Sequence, residues 1–117
     1  MQKYRQAYQD GGWEAKYHLL SARHNLLRGQ IQTAEREIWS VTALPEQERS
    51  LYLLMRGWLS VLQEKYSGAI SYLKQVENRN VQSPSMRKDV YRLLETAYKE
   101  MGDYKSAYEY AAKQREI

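Results

Sequence analysis

At 117 residues the chain fits one domain, and its lack of cysteine excludes disulfides, thiolate metal sites and cysteine nucleophiles. Its 18 Lys and Arg against 14 Asp and Glu leave a formal charge of +4, interspersed with no long run of one sign, so no basic tail points to nucleic acid. No stretch approaches the roughly 18 apolar residues of a membrane span, and the opening MQKYRQAYQDGG lacks the apolar core of a signal peptide.

The spacing predicts a short helix over 2–9, ended by Gly11-Gly12, then helices over 13–28, 31–42, 46–63, 66–77, 84–101 and 104–116. Leu44-Pro45 separates the second long helix from the third. The clearest helix carries Tyr91, Leu94, Tyr98 and Met101 on one face, starts at a Ser83-Pro84 cap and stops at Gly102. Short connections make neighbouring helices antiparallel. The aromatic set of eleven Tyr, three Trp and no Phe suits half-buried positions between helices, because tyrosine pairs an apolar body with a polar tip.

Three segments align: Gly29-Gln-Ile31-Gln-Thr-Ala34, Glu64-Lys-Tyr66-Ser-Gly-Ala69 and Gly102-Asp-Tyr104-Lys-Ser-Ala107. Each has a turn residue, a bulky apolar residue two positions on, and an alanine three further, where two helices approach closely. The alanines stand 35 and 38 residues apart, and the extra length falls in the polar stretch 78–84. A small residue recurs twelve positions before the alanine as Ala22 and Gly57, whereas the third unit has Glu95.

This pattern resembles the tetratricopeptide repeat, a helix–turn–helix unit of about 34 residues. The resemblance implies an all-α, right-handed superhelical solenoid of antiparallel helix pairs over 13–117, with units near 15–48, 50–83 and 88–117, preceded by an extension over 1–12. It also implies an interaction scaffold whose first helices line a concave surface. By phase, that surface takes Lys16, Leu19, Arg23 and Leu26, then Leu51, Leu54, Trp58 and Val61, then Asp89, Arg92, Thr96 and Lys99. The expected partner is a protein or peptide with acidic residues beside an apolar anchor. Trp58 would receive the anchor, Arg23 and Arg92 would pair with charge, and Lys16 and Lys99 would stand at the rim.

One polar stripe competes with this phase. His18, Ser21, Asn25 and Arg28, like Arg56, Ser60 and Gln63, occupy positions the family buries. Either they face an irregular interface, or the first two pairs are rotated and Leu51, Leu54 and Trp58 are core. The carboxylate clamp of chaperone-binding repeats is missing, its places being held by Leu19, Arg23, Met55, Asp89 and Leu93.

Tyr91 to Ala112 resembles the repeat arrays that precede output domains in bacterial sensor kinases and transcription regulators, which implies a module of a larger signalling protein. Helical secretion chaperones use three similar repeats. Nothing in the sequence asks for a metal or cofactor: His18 and His24 are six apart with no acid cluster around them, and no phosphate loop or nucleophile elbow occurs. The expectation is a non-enzyme. The rival reading is a nucleic-acid-binding repeat using the basic first helices. The final helix, with Tyr104, Ala107, Tyr108 and Ala111 along one side, points to self-association or to continuation of the array. Compartment is not legible: cytoplasm is the default, and an extracytoplasmic place follows if the chain is excised from a sensor.

Overall fold

A computed structural model describes residues 12–81 and 83–116. The six helices are α1 (Gly12–Leu27), α2 (Ile31–Trp39), α3 (Arg49–Leu62), α4 (Tyr66–Asn78), α5 (Pro84–Glu100) and α6 (Tyr104–Arg115). A 3-10 turn, Glu46–Glu48, leads into α3, and no strand occurs among the described residues. The helix expected over 2–9 lies outside them. No described helix is long and apolar enough to cross a membrane.

Two boundaries differ from expectation. Helix α2 ends at Trp39 rather than 42, where the Ser40 hydroxyl donates back to the Arg36 carbonyl at 2.7 Å and competes with helix propagation. The β-branched Val41-Thr42 pair follows. The segment beginning at Glu46 enters as a 3-10 turn, capped by Pro45, which is extended at φ −63° and ψ 151° and whose carbonyl accepts from the Glu48 N–H at 3.0 Å.

The turn between the helices of each pair is built the same way three times. Gly29, Glu64 and Gly102 all adopt positive φ, at 73°, 62° and 82°. The next residue's N–H then reaches five positions back: Gln30 to Asn25 at 2.9 Å, Lys65 to Ser60 at 2.8 Å, and Asp103 to Tyr98 at 2.9 Å. This 6→1 bond satisfies a carbonyl the helix end leaves orphaned. A left-handed residue is easy for glycine and costly for glutamate, so the middle turn holds mild strain. At the start of α5, Ser83 accepts from the Met86 N–H at 3.3 Å with Pro84 in the first turn, as expected.

Packing follows the pairs. Helices α1–α2, α3–α4 and α5–α6 pack together, and successive pairs meet through α1–α3, α2–α3, α3–α5 and α4–α5. Three-residue connections within each pair force antiparallel packing. The repeat alanines, Ala34, Ala69 and Ala107, are all buried, and Ala22 is fully buried. Gly57 sits so close to α4 that an added Cβ would stand 2.7 Å from the Leu73 side chain. In the third pair, Glu95 takes this place by accepting a hydrogen bond from Gln114 of α6 at 2.6 Å. Helix α3 touches four other helices and buries Leu53, Leu54, Met55, Trp58, Leu59 and Val61. Each such side chain contributes about 1.5–3 kcal/mol from apolar burial.

Candidate partner-binding site

The five residues expected to bind a partner divide sharply. Trp58, on α3, is 4% exposed and belongs to the core cluster. Its ring is covered by two guanidiniums, Arg92 at 4.9 Å and Arg23 at 5.9 Å from the ring centroid. Both arginines also turn to one carboxylate: Arg23 reaches Asp89 at 3.3 Å and Arg92 reaches it at 3.5 Å. Three helices therefore converge on one arrangement, with α1 giving Arg23, α3 giving Trp58, and α5 giving Asp89 and Arg92. The ring's electron-rich face attracts the cations, and the carboxylate fixes where they lie.

The apolar floor expected along this strip is core. Leu19, Leu26, Leu54 and Val61 are buried together with Trp58, because α1 and α5 close over α3. What reaches solvent is polar: Arg92, Thr96 and Lys99 on α5 and Lys16 on α1 are exposed, while Arg23 and Asp89 are half-buried. Lys16 lies two turns from Arg23, and Lys99 two turns from Arg92, each on the same helical face. Two guanidiniums against one carboxylate leave one positive charge in excess at the centre, and the lysines add to it.

Three residues of the polar stripe that competed with this phase, His18, Arg56 and Gln63, face second helices. His18 Nδ1 lies 2.8 Å from Glu37 of α2, and Gln63 donates to Glu35 of α2 at 2.8 Å. Arg56 donates to the Tyr72 hydroxyl of α4 at 2.8 Å and lies over the Tyr72 and Tyr52 rings. These residues form irregular polar interfaces where the third pair has the apolar Leu94. Their anomaly in the sequence was the signal for a cleft between α2 and α4, which sequence reasoning did not count as a site.

In the third pair the same region is closed by a network. The Tyr110 ring stacks on Tyr98 at 5.8 Å, and its hydroxyl donates to Glu77 at 2.9 Å. Lys74 and Lys113 donate to Tyr110 and Glu77 respectively, both at 3.2 Å. Burial, then the hydrogen bond to Glu77 and its charge, push the Tyr110 hydroxyl well above the usual phenol range. For Lys113, burial alone would lower the pKa, but the Glu77 bond and charge outweigh it and raise it.

On α6, Tyr104 and Tyr108 are about seven-tenths exposed, whereas Ala107 and Tyr110 turn inward; Met101, just past the end of α5, is half-exposed. The side expected to be uniformly apolar is thus split, with Ala107 serving the pair's own packing. No family model, curated protein or solved structure matches this chain.

Proposed function

We propose that the three helix pairs form a right-handed tetratricopeptide-like array that acts as a protein-interaction scaffold, binding an acidic peptide or helical segment across α1, α3 and α5. The observation that carries this reading is the pair of guanidiniums over Trp58 sharing the single carboxylate of Asp89. An incoming carboxylate gains two ready-oriented donors without having to order them, since the indole and Asp89 already hold both. Exposed Lys16 and Lys99 extend the basic track, steering a partner and setting its register.

The burial of Trp58 alters the expected mechanism. An apolar anchor from the partner has no open pocket at that ring, so affinity comes from charge-assisted hydrogen bonds at the arginines rather than from filling a groove. Membership of a larger bacterial signalling protein is supported only by the resemblance of Tyr91 to Ala112. The exposed Tyr104 and Tyr108 keep self-association through α6 as part of the same proposal.

The test is capture of partners from lysate by wild type and by an Arg92→Glu/Lys99→Glu variant, with and without nuclease, each fold being checked by circular dichroism. A protein retained by wild type, lost by the folded variant and indifferent to nuclease is the expected result. Capture that vanishes with nuclease overturns it in favour of a nucleic-acid-binding repeat. Equal retention by both forms removes the interface from these residues.

A further inference from the structure

On the side of α3 away from Trp58, the molecule holds a second polar constellation. Arg56 is two residues from Trp58, which turns it about 200° around the helix. It lines a cavity of about 220 Å³ whose walls come from α2 (Glu35, Trp39), α3 (Arg56, Leu59, Ser60), the α3–α4 turn (Gln63, Lys65) and α4 (Gly68, Tyr72). The cavity lies where the backbones of α2 and α4 stay apart while both rest on α3. At the next junction the corresponding gap is closed by the Tyr110–Glu77 network.

The chemistry of the cavity is one-sided. Among the described residues, no carboxylate lies within ion-pair distance of Arg56, although that side chain is half-buried. Its guanidinium is held by neutral groups: the Tyr72 hydroxyl at 2.8 Å, the Tyr52 hydroxyl at 3.5 Å, and the faces of both rings. Those hydroxyls act as acceptors toward Arg56, so the Tyr72 proton is left to be donated elsewhere. A guanidinium carries five N–H donors and two are used here, and Arg56 and Tyr72 both line the cavity. The one acid in the lining, Glu35, accepts from Gln63, and Arg56 and Lys65 together outweigh it.

The remaining walls are apolar and open. Trp39 is 64% exposed at the rim, Leu59 is buried at the floor, and the space around Gly68 is empty within 4 Å of where a Cβ would stand. The volume falls below the roughly 300 Å³ at which drug-sized sites begin, and it matches a ligand of single-residue size.

We propose that the cleft between α2 and α4 is a second binding site, for a carboxylate carried on an apolar or aromatic body. Arg56 and Tyr72 hold the carboxylate and Trp39 covers the body. The free end of a peptide and a small organic acid share this chemistry. The site is independent of the α1/α3/α5 face, and neither proposal depends on the other.

The test titrates 3-phenylpropionate, its amide, a pentapeptide ending in free phenylalanine, and the same peptide amidated. The readout is the indole N–H resonance of Trp39, assigned with Trp39→Phe. A saturable shift with the acids, about tenfold or more weaker with the amides, is the expected result. Tighter binding of the small acid identifies a free metabolite-like ligand, and tighter binding of the peptide identifies a chain terminus. Arg56→Gln should abolish the response, and so should Gly68→Leu, which fills the cavity while leaving Arg56 and its partners in place. Equal response to acid and amide, or none from any probe at millimolar concentration, overturns the proposal without reference to the variants.

Discussion

Gly57 of α3 lies against Leu73 of α4 so closely that a methyl group on it would meet two Leu73 side-chain atoms at 2.7 Å. Leu73 is fully buried and has no room to retreat. Gly57→Ala gains about 1 kcal/mol in helix propensity, but overpacking costs about 1–3 kcal/mol. A net loss of about 1 kcal/mol is expected in urea unfolding. Gly68→Ala, facing open space, should instead stabilise the protein by about 1 kcal/mol. The opposite signs of these two substitutions check the packing of α3 on α4.

The turn at Glu64 is the second target. Its φ of 62° matches the glycines at the other two turns, and glutamate is strained there. Glu64→Gly should raise stability by about 0.5–1 kcal/mol, whereas Gly29→Ala and Gly102→Ala should lower it. Thermal midpoints of the three variants give the comparison.

Trp58→Ala should destabilise the protein by about 3–5 kcal/mol, because it leaves a large void in the core and strands two guanidiniums above it. Chemical denaturation measures this. A loss under about 1 kcal/mol would show that the indole is not core. Partner binding is better tested at the exposed Arg92 and Lys99 than at Trp58.

Alkaline pH should weaken the third pair first. The folded Tyr110 hydroxyl holds its proton above the ordinary value of 10.0, chiefly through burial and then through Glu77. A raised folded pKa contributes stability that is whole below the unfolded value and is lost as pH climbs through the folded one. Lys113, also raised, carries the same sign. Stability should therefore be flat toward pH 10 and decline above it, and Tyr110→Phe should flatten that decline.

The sequence made the helices and turns legible because their signals are local. Ser83-Pro84, Gly29 and Gly102 each act within a few residues, and the structure places them as expected. The early end of α2 was less visible, since it depends on the Ser40 hydroxyl bonding its own helix. The proposed binding face was legible only as a set of residues. Spacing put Arg23, Trp58 and Arg92 in one phase, but burial of Trp58 depends on how far α1 and α5 close over α3, which no single helix encodes. The cleft at Arg56 was missed for the same reason: its polar stripe was visible, but the separation of α2 and α4 is a property of three helices together.

Among the described residues, helix contacts run within each pair and from each pair to the next, with none between helices of the first pair and the third. The Arg23–Asp89 ion pair breaks that rule, tying the first pair directly to the third across the middle one. It acts as a strap between the first pair and the third. Being only partly buried, the strap is loosened by dissolved ions rather than by loss of core packing. Added salt should therefore weaken this end-to-end link while leaving the buried core of each helix pair in place.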